Sequence, residues 1–212
     1  MTDNNIADYY VAERPEFVSF IRRSGSFESA IDIGCAGGKL GQELLHKGLV
    51  RRCDGIEPYP AAAAVARKML GTVWEGTLES CAENIPWANY DLVIMGDVLE
   101  HLVDPWSALR LLQARVRNGA CLALSVPNVR HYKVVLPLLF RGEFRYQDQG
   151  IMDRTHLHFF TRKSLQEALL ESGWSITGED SHMKKKYRRS FYPTRLIEPF
   201  VAVQHLVMAV KE

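Results

Sequence analysis

Short apolar runs alternate with longer amphipathic stretches along most of this 212-residue chain, and that alternation leaves few folds open. Residues 30–35 (Ala-Ile-Asp-Ile-Gly-Cys) predict a strand running into a glycine-rich turn. Residues 39–46 predict a helix, 52–57 a strand, and the alanine-rich 61–70, closed by Gly71, a second helix. A short strand at 72–74 and a fully buried one at 90–95 come next. Asp104-Pro105, a capping residue and then proline at the first helical position, opens a helix over 106–116. The rest predicts a strand at 120–126 stopped by Pro127, a helix at 163–172 ended by Gly173, and strands at 174–177 and about 206–210. This order predicts an α/β fold, a doubly wound and mostly parallel seven-stranded sheet with helices on both faces. Ligands of such sheets bind beyond the carboxyl ends of the strands. The loops after Cys35, Glu57, Trp74, Met95 and Val126 are therefore the places to look for function. Two stretches, 127–162 and 179–203, interrupt the alternation and read as inserts forming the acceptor side of a single domain over 1–212.

Charge narrows the partners. Lys plus Arg number 26 against 25 for Asp plus Glu, a net charge of +1, so no molecule-wide field favours nucleic acid or membrane. No apolar run reaches the roughly 18 residues of a membrane span, and Met1-Thr2-Asp3-Asn4-Asn5 lacks the layout of a signal peptide. The four cysteines (Cys35, Cys53, Cys81, Cys121) form no Cys-x-x-Cys pair, and three sit in apolar runs. Buried free thiols in a reducing, cytoplasmic setting are the expectation.

Asp32-Ile33-Gly34-Cys35-Ala36-Gly37-Gly38-Lys39-Leu40-Gly41 is the richest stretch, because glycines after a buried strand let a ligand approach the main chain. A P-loop needs four residues before Gly-Lys and then Ser or Thr, whereas three intervene here and Leu40 follows. The pattern Gly-x-Gly-x-x-Gly started at Gly34 meets Ala36 and Lys39 where it needs glycine. Both readings fail. What remains is an acid two residues before Gly34-x-x-Gly37-Gly38, with a carboxylate, Glu57, at the end of the next strand. Read alone, Glu57 is as easily a solvated strand end.

Together these residues resemble motif I of the class I, Rossmann-like S-adenosylmethionine-dependent methyltransferases, with Ala36 where that family usually has glycine. The resemblance continues through Tyr90-Asp91-Leu92-Val93-Ile94-Met95-Gly96-Asp97-Val98-Leu99-Glu100-His101-Leu102 and Ser125-Val126-Pro127-Asn128. Residues Gly150 to Thr161 with Ser164-Leu165 are similar to a bacterial subgroup acting in polysaccharide and secondary metabolism. It implies an antiparallel last strand and S-adenosylmethionine as cofactor. The implied cradle is Asp32, Gly34, Cys35, Ala36, Gly38, Glu57, Pro58, Thr77, Leu78, Gly96, Asp97 and Val98, with Glu57 on the ribose hydroxyls. Thr77 stands where an acid often meets the adenine, which shifts that contact toward backbone groups and Leu78.

Methyl transfer to a hydroxyl benefits from a base or a metal that takes its proton. Asp97, Glu100 and His101 would share one helical face, and Asp153 and His156 have a similar spacing. The metal-dependent small-RNA 2′-O-methyltransferases carry Glu-x-x-Glu-His after strand four and a later histidine. Asp97-x-x-Glu100-His101 with His156 and Thr161 is similar. That resemblance implies Glu100, His101 and His156 as ligands of a divalent ion such as Mg²⁺. A proton-accepting His156, helped by His101 and preferred over His158, is the reading without metal. Structural roles for all three stay open.

Lys184 to Arg195 holds six cations and no acid, a segment fit to grip a phosphate, a nucleotide-sugar or single-stranded RNA, though a solvated loop is its ordinary reading. Leu136-Pro137-Leu138-Leu139-Phe140 reads as an apolar lid or substrate wall, or equally as dimer contact or core. Tyr9, Tyr10 and Arg14 begin a helix that in the family closes over the cofactor carboxylate. The function expected is O-methylation of a small polar acceptor, such as a sugar or glycan precursor, phosphorylated or nucleotide-linked. An RNA 2′-O-methyltransferase with a metal site is the alternative, and a non-catalytic cofactor-binding partner subunit is another.

Overall fold

The computed structural model describes residues 14–183, 187 and 197–212. Tyr9, Tyr10 and the basic segment 184–195, apart from Tyr187, lie outside them. Helix α1 (Pro15–Arg23) precedes β1 (Phe27–Ile33), α2 (Lys39–His46), β2 (Val50–Glu57), α3 (Pro60–Ala66), β3 (Val73–Glu75) and the one-turn α4 (Leu78–Cys81). Then come β4 (Leu92–Gly96), α5 (Pro105–Arg115), β5 (Cys121–Pro127), α6 (Tyr132–Arg141), α7 (Arg162–Glu171), β6 (Ser175–Met183), α8 (Glu198–Val201) and β7 (Ala202–Val210). The seven strands form one sheet in the order β3-β2-β1-β4-β5-β7-β6. Pairs are parallel from β3 through β5, and β7 runs antiparallel to both β5 and β6.

Both faces are buried because the central strands are mostly apolar on both sides, with Asp32 and Ser125 as buried polar exceptions. Ile31, Val93, Met95, Leu122 and Leu124 face Leu109, Leu112, Leu165 and Leu169 of α5 and α7. Ala30, Leu92, Ile94 and Ala123 face Phe17, Ile21, Leu44 and Ala66 of α1, α2 and α3. The cysteines are free, three buried and Cys121 half-buried. Among the described residues no helix is long and apolar enough to cross a membrane.

Three boundaries depart from the sequence reading. Helix α3 ends at Ala66 rather than 70, since Lys68 and Met69 donate to carbonyls three residues back, which tightens the last turn. The second insert begins later than 179 and ends before 203, because residues 179–183 and 202–203 extend β6 and β7. Glu179, Asp180 and His182 lie on an edge strand, so no apolar run marked it. The first insert contains α6, hidden in the sequence by Pro137 in its interior.

Candidate functional site

Strands β1 and β4 are neighbours whose chains leave in opposite directions, which opens a crevice at their carboxyl ends. The turn after β1 and the loop after β4 meet there closely. A Cβ on Gly34 (φ +69°) would stand 2.7 Å from Val98 Cγ2, so only glycine lets the two loops touch. Ala36 holds a left-handed φ of 47° despite its side chain. Its N–H donates to Glu57 Oε2 at 2.8 Å, and the Tyr59 N–H donates to Oε1 at 2.9 Å. Burial raises the Glu57 carboxyl above its usual range while these two bonds oppose the rise. Glu57 thus closes the turn from beneath, and each oxygen keeps a second lone pair for a ligand hydroxyl. Asp32, buried at the floor, is pushed up to about 7 by burial, with Arg14 opposing. The Cys35 thiol is raised by burial and stays neutral.

Asp97 stands apart from the ligand group that its spacing suggested. It too has a positive φ, 56°, and its carboxylate accepts from Ser125 Oγ at 2.8 Å and Gln204 Nε2 at 2.6 Å. Arg14 Nη1 completes the node 3.0 Å from Asp97 Oδ2. Gly96 provides that guanidinium its seat, since a Cβ there would lie 2.8 Å from Arg14 Nη1. Ser125 and Gln204 are site residues that the sequence reading assigned no role, and nothing local marks Gln204. Thr77 accepts from the Ser80 N–H as the cap of α4, and Leu78 is buried in the core. The capping bond occupies the hydroxyl that would otherwise serve a ligand. Pro58 is exposed at the rim. Asp153, whose Oδ1 accepts from the backbone N–H and hydroxyl of Thr155, takes no part in the cluster that follows.

Glu100, His101 and His156 do come together. One ligand atom from each lies within 4.8 Å of the others. Leu157 and His158 N–H both donate to the Glu100 carbonyl, which ties the turn at 99–101 to the later loop. His156 Nδ1 is 3.1 Å from the Ile151 carbonyl and His101 Nδ1 3.2 Å from that of Thr155. Carbonyls only accept, so both Nδ1 atoms are assigned the proton and both Nε2 atoms keep a lone pair. His156 Nε2 is 4.0 Å from Glu100 Oε1. Glu100 is 1% exposed, yet among the described residues neither carboxylate oxygen has a hydrogen-bond partner. Burial, with Asp97 adding to it, pushes this carboxyl well above its usual range, and burial lowers His101. A buried orphan carboxylate requires a proton or a cation. Carbonyl-oriented imidazoles beside it are the arrangement a divalent ion prefers. His158 turns away, its Nε2 3.2 Å from the Val103 carbonyl and its ring edge-on to Trp106.

The sequence and the fold have known counterparts. The family described as "Methyltransferase domain" matches residues 5–179. The chain belongs to that family. The ubiquinone biosynthesis O-methyltransferase of Photorhabdus laumondii is 32% identical over 130 residues, 58% of this chain and 53% of the relative. The chain therefore spans about half the length of the curated relatives it matches. Among solved structures, an S-adenosylmethionine-dependent methyltransferase from Archaeoglobus fulgidus superposes with a TM-score of 0.71 at 15% identity, covering 100% of both chains. One from Mesorhizobium loti gives 0.64 at 15% identity over 93% of this chain and 96% of its own. These likenesses show the fold, and the family match shows a methyltransferase domain.

Proposed function

We propose that this methyltransferase uses S-adenosylmethionine to methylate a hydroxyl of a small polar acceptor. A sugar or glycan precursor, phosphorylated or nucleotide-linked, is the class that fits. The observation that supports it best is the buried Glu100–His156 pair, with His101, set at the same strand ends as the cradle. Asp32, Gly34, Cys35, Ala36, Gly38, Glu57, Pro58, Gly96, Asp97 and Val98 would hold the cofactor, with the backbone around Thr77 and Leu78 at its adenine end. Gly34 lets the two loops touch and Gly96 seats Arg14, and these contacts frame the crevice. The cofactor supplies a methyl already activated by its sulfonium, so the protein's part is positioning and water exclusion. His156 Nε2 accepts the hydroxyl proton, and the Glu100 carboxyl, with Oε1 4.0 Å from that same nitrogen, flanks the position of the acceptor. The orphaned carboxylate favours a second reading in which Glu100, His101 and His156 hold a divalent ion that acidifies the hydroxyl. Two imidazoles and one carboxylate suit Mn²⁺, Co²⁺ or Zn²⁺ better than Mg²⁺. The insert 127–162 bounds the acceptor side of this single domain.

Calorimetric titration with S-adenosylhomocysteine, with and without EDTA, tests the cofactor site; micromolar binding is expected. His156→Ala should keep that affinity and lose turnover on a nucleotide-sugar panel by about a hundredfold or more. Absence of binding by the folded parent protein would end the reading. Binding without turnover on any acceptor would favour the partner-subunit alternative.

A further inference from the structure

Beside the His156 loop lies a cavity of about 530 Å³ between α6 and residues 143–152. Its walls include Leu136, Pro137, Phe140, Phe144 and Met152, and its rim carries Lys133, Arg141 and Arg145 against one acid, Glu143. That acid is held by two of the cations, Arg141 Nε at 3.1 Å and Arg145 Nη2 at 2.9 Å, so the rim stays net positive. Helix α6 buries only Val134, and Leu139 and Phe140 are 69% and 76% exposed. An apolar hollow of ligand size with a cationic edge is a recognition surface rather than spare core. It also reaches the proposed chemistry. Phe144 packs edge-on to Phe159 at 5.4 Å between ring centroids, and Phe159 lies 6.3 Å from His156. Met152 follows Ile151, whose carbonyl orients that histidine.

We infer that this cavity binds the far end of the acceptor, and that this end is an apolar body carrying an anionic group such as a phosphate. The inference rests on the methyl-transfer reading only for which molecule occupies the cavity. The sugar head of a phosphorylated glycan precursor does not fill a wall of Leu136, Pro137, Phe140 and Met152, whereas an apolar chain attached to that head does. The cations explain why the occupant is charged where the chain meets its head.

Hexyl, octyl and decyl phosphate, each below its micelle concentration, are titrated into the intact protein beside inorganic phosphate and S-adenosylhomocysteine. Affinity is expected to rise about two- to fourfold per methylene. Leu136→Asp and Phe144→Ala, both at partly exposed positions, should weaken decyl phosphate about tenfold. Arg145→Gln should weaken it about threefold. None of the three should alter S-adenosylhomocysteine affinity. Equal affinity for all chain lengths, or for inorganic phosphate, would overturn the inference. So would binding confined to phosphatidylglycerol vesicles, which would make the face a membrane contact. A parent dimer that Leu136→Asp converts to monomer, with amphiphile affinity unchanged, would overturn it in favour of self-association. Loss of S-adenosylhomocysteine binding in the parent would sink the methyl-transfer reading alone, because the chain-length series still decides the cavity.

Discussion

Ala36 shows how one methyl group registers at the residue scale. A non-glycine residue in the left-handed region costs about 1–2 kcal/mol, and Ala36 accepts this with φ at 47° because its N–H must reach Glu57. The resemblance to motif I exposed the departure from glycine, and the structure supplies its energetic meaning. Ala36→Gly should relieve the strain, less the extra entropy of an unfolded glycine, for a net gain of about 0.5–1 kcal/mol. Urea denaturation read by fluorescence would measure it. Unchanged or lowered stability would mean that the turn relaxes around the alanine. Asp97 is the opposite case. Its spacing from Glu100 and His101 was legible, but its positive φ was not, and that backbone twist sends the carboxylate to Arg14 and Gln204 instead of to the histidines.

Elements were legible where their signal is local and lost where it depends on a distant partner. Strand β4 is a continuous apolar run and β1 and β5 are mostly apolar in their buried parts, and the turn at 34–38 announces itself by composition. Strand β6 carries charges on an edge, and its length comes from pairing with β7 rather than from its own residues. That pairing also buries a histidine no pattern marked. His205 on β7 is 2% exposed, its Nδ1 3.4 Å from Ser181 Oγ and its Nε2 without a hydrogen-bond partner. Arg162 of α7 bonds Ser181 at 2.6 Å and pairs with Glu198 of α8, so one network ties α7, α8 and both strands. Burial lowers His205 to about 4, with Arg162 and Arg130 adding and Glu198 opposing. Above pH 6.5 the ring is neutral folded and unfolded, and it contributes no pH dependence. As pH falls from 6.5 toward 4, the unfolded chain takes up a proton that the folded chain refuses, so stability is lost; below 4 the loss levels off. By pH 5 this amounts to about 2 kcal/mol. His205→Gln should recover about that much relative to the parent between pH 7.5 and 5, measured by urea denaturation at both. Parallel losses in the two proteins would show that the ring titrates freely.

On the scale of the whole molecule, the proposed cofactor cradle and the histidine cluster follow the carboxyl ends of the strands, the α6 hollow lies beside the His156 loop, and charge is what separates the candidate acceptors. A net charge of +1 leaves little field for collecting a polyanion, although the histidine cluster resembles that of RNA 2′-O-methyltransferases. Affinity for nucleic acid comes chiefly from phosphates neutralised, and each neutralised phosphate of a single strand steepens the salt dependence by about 0.7 in log–log slope. The only dense basic run, 184–195, offers six cations, enough for a few phosphates but not for a tracked strand. A fluorescein-labelled single strand of about 20 nucleotides should therefore bind more weakly than about 100 μM at 150 mM salt. The same protein should bind decyl phosphate more tightly, and that preference should change little between 50 and 300 mM salt because apolar burial carries much of it. Tight oligonucleotide binding with a log–log slope steeper than about −3 would reverse the ranking. It would move the acceptor from a small amphiphile to RNA while leaving the cofactor cradle and the Glu100–His101–His156 cluster in place.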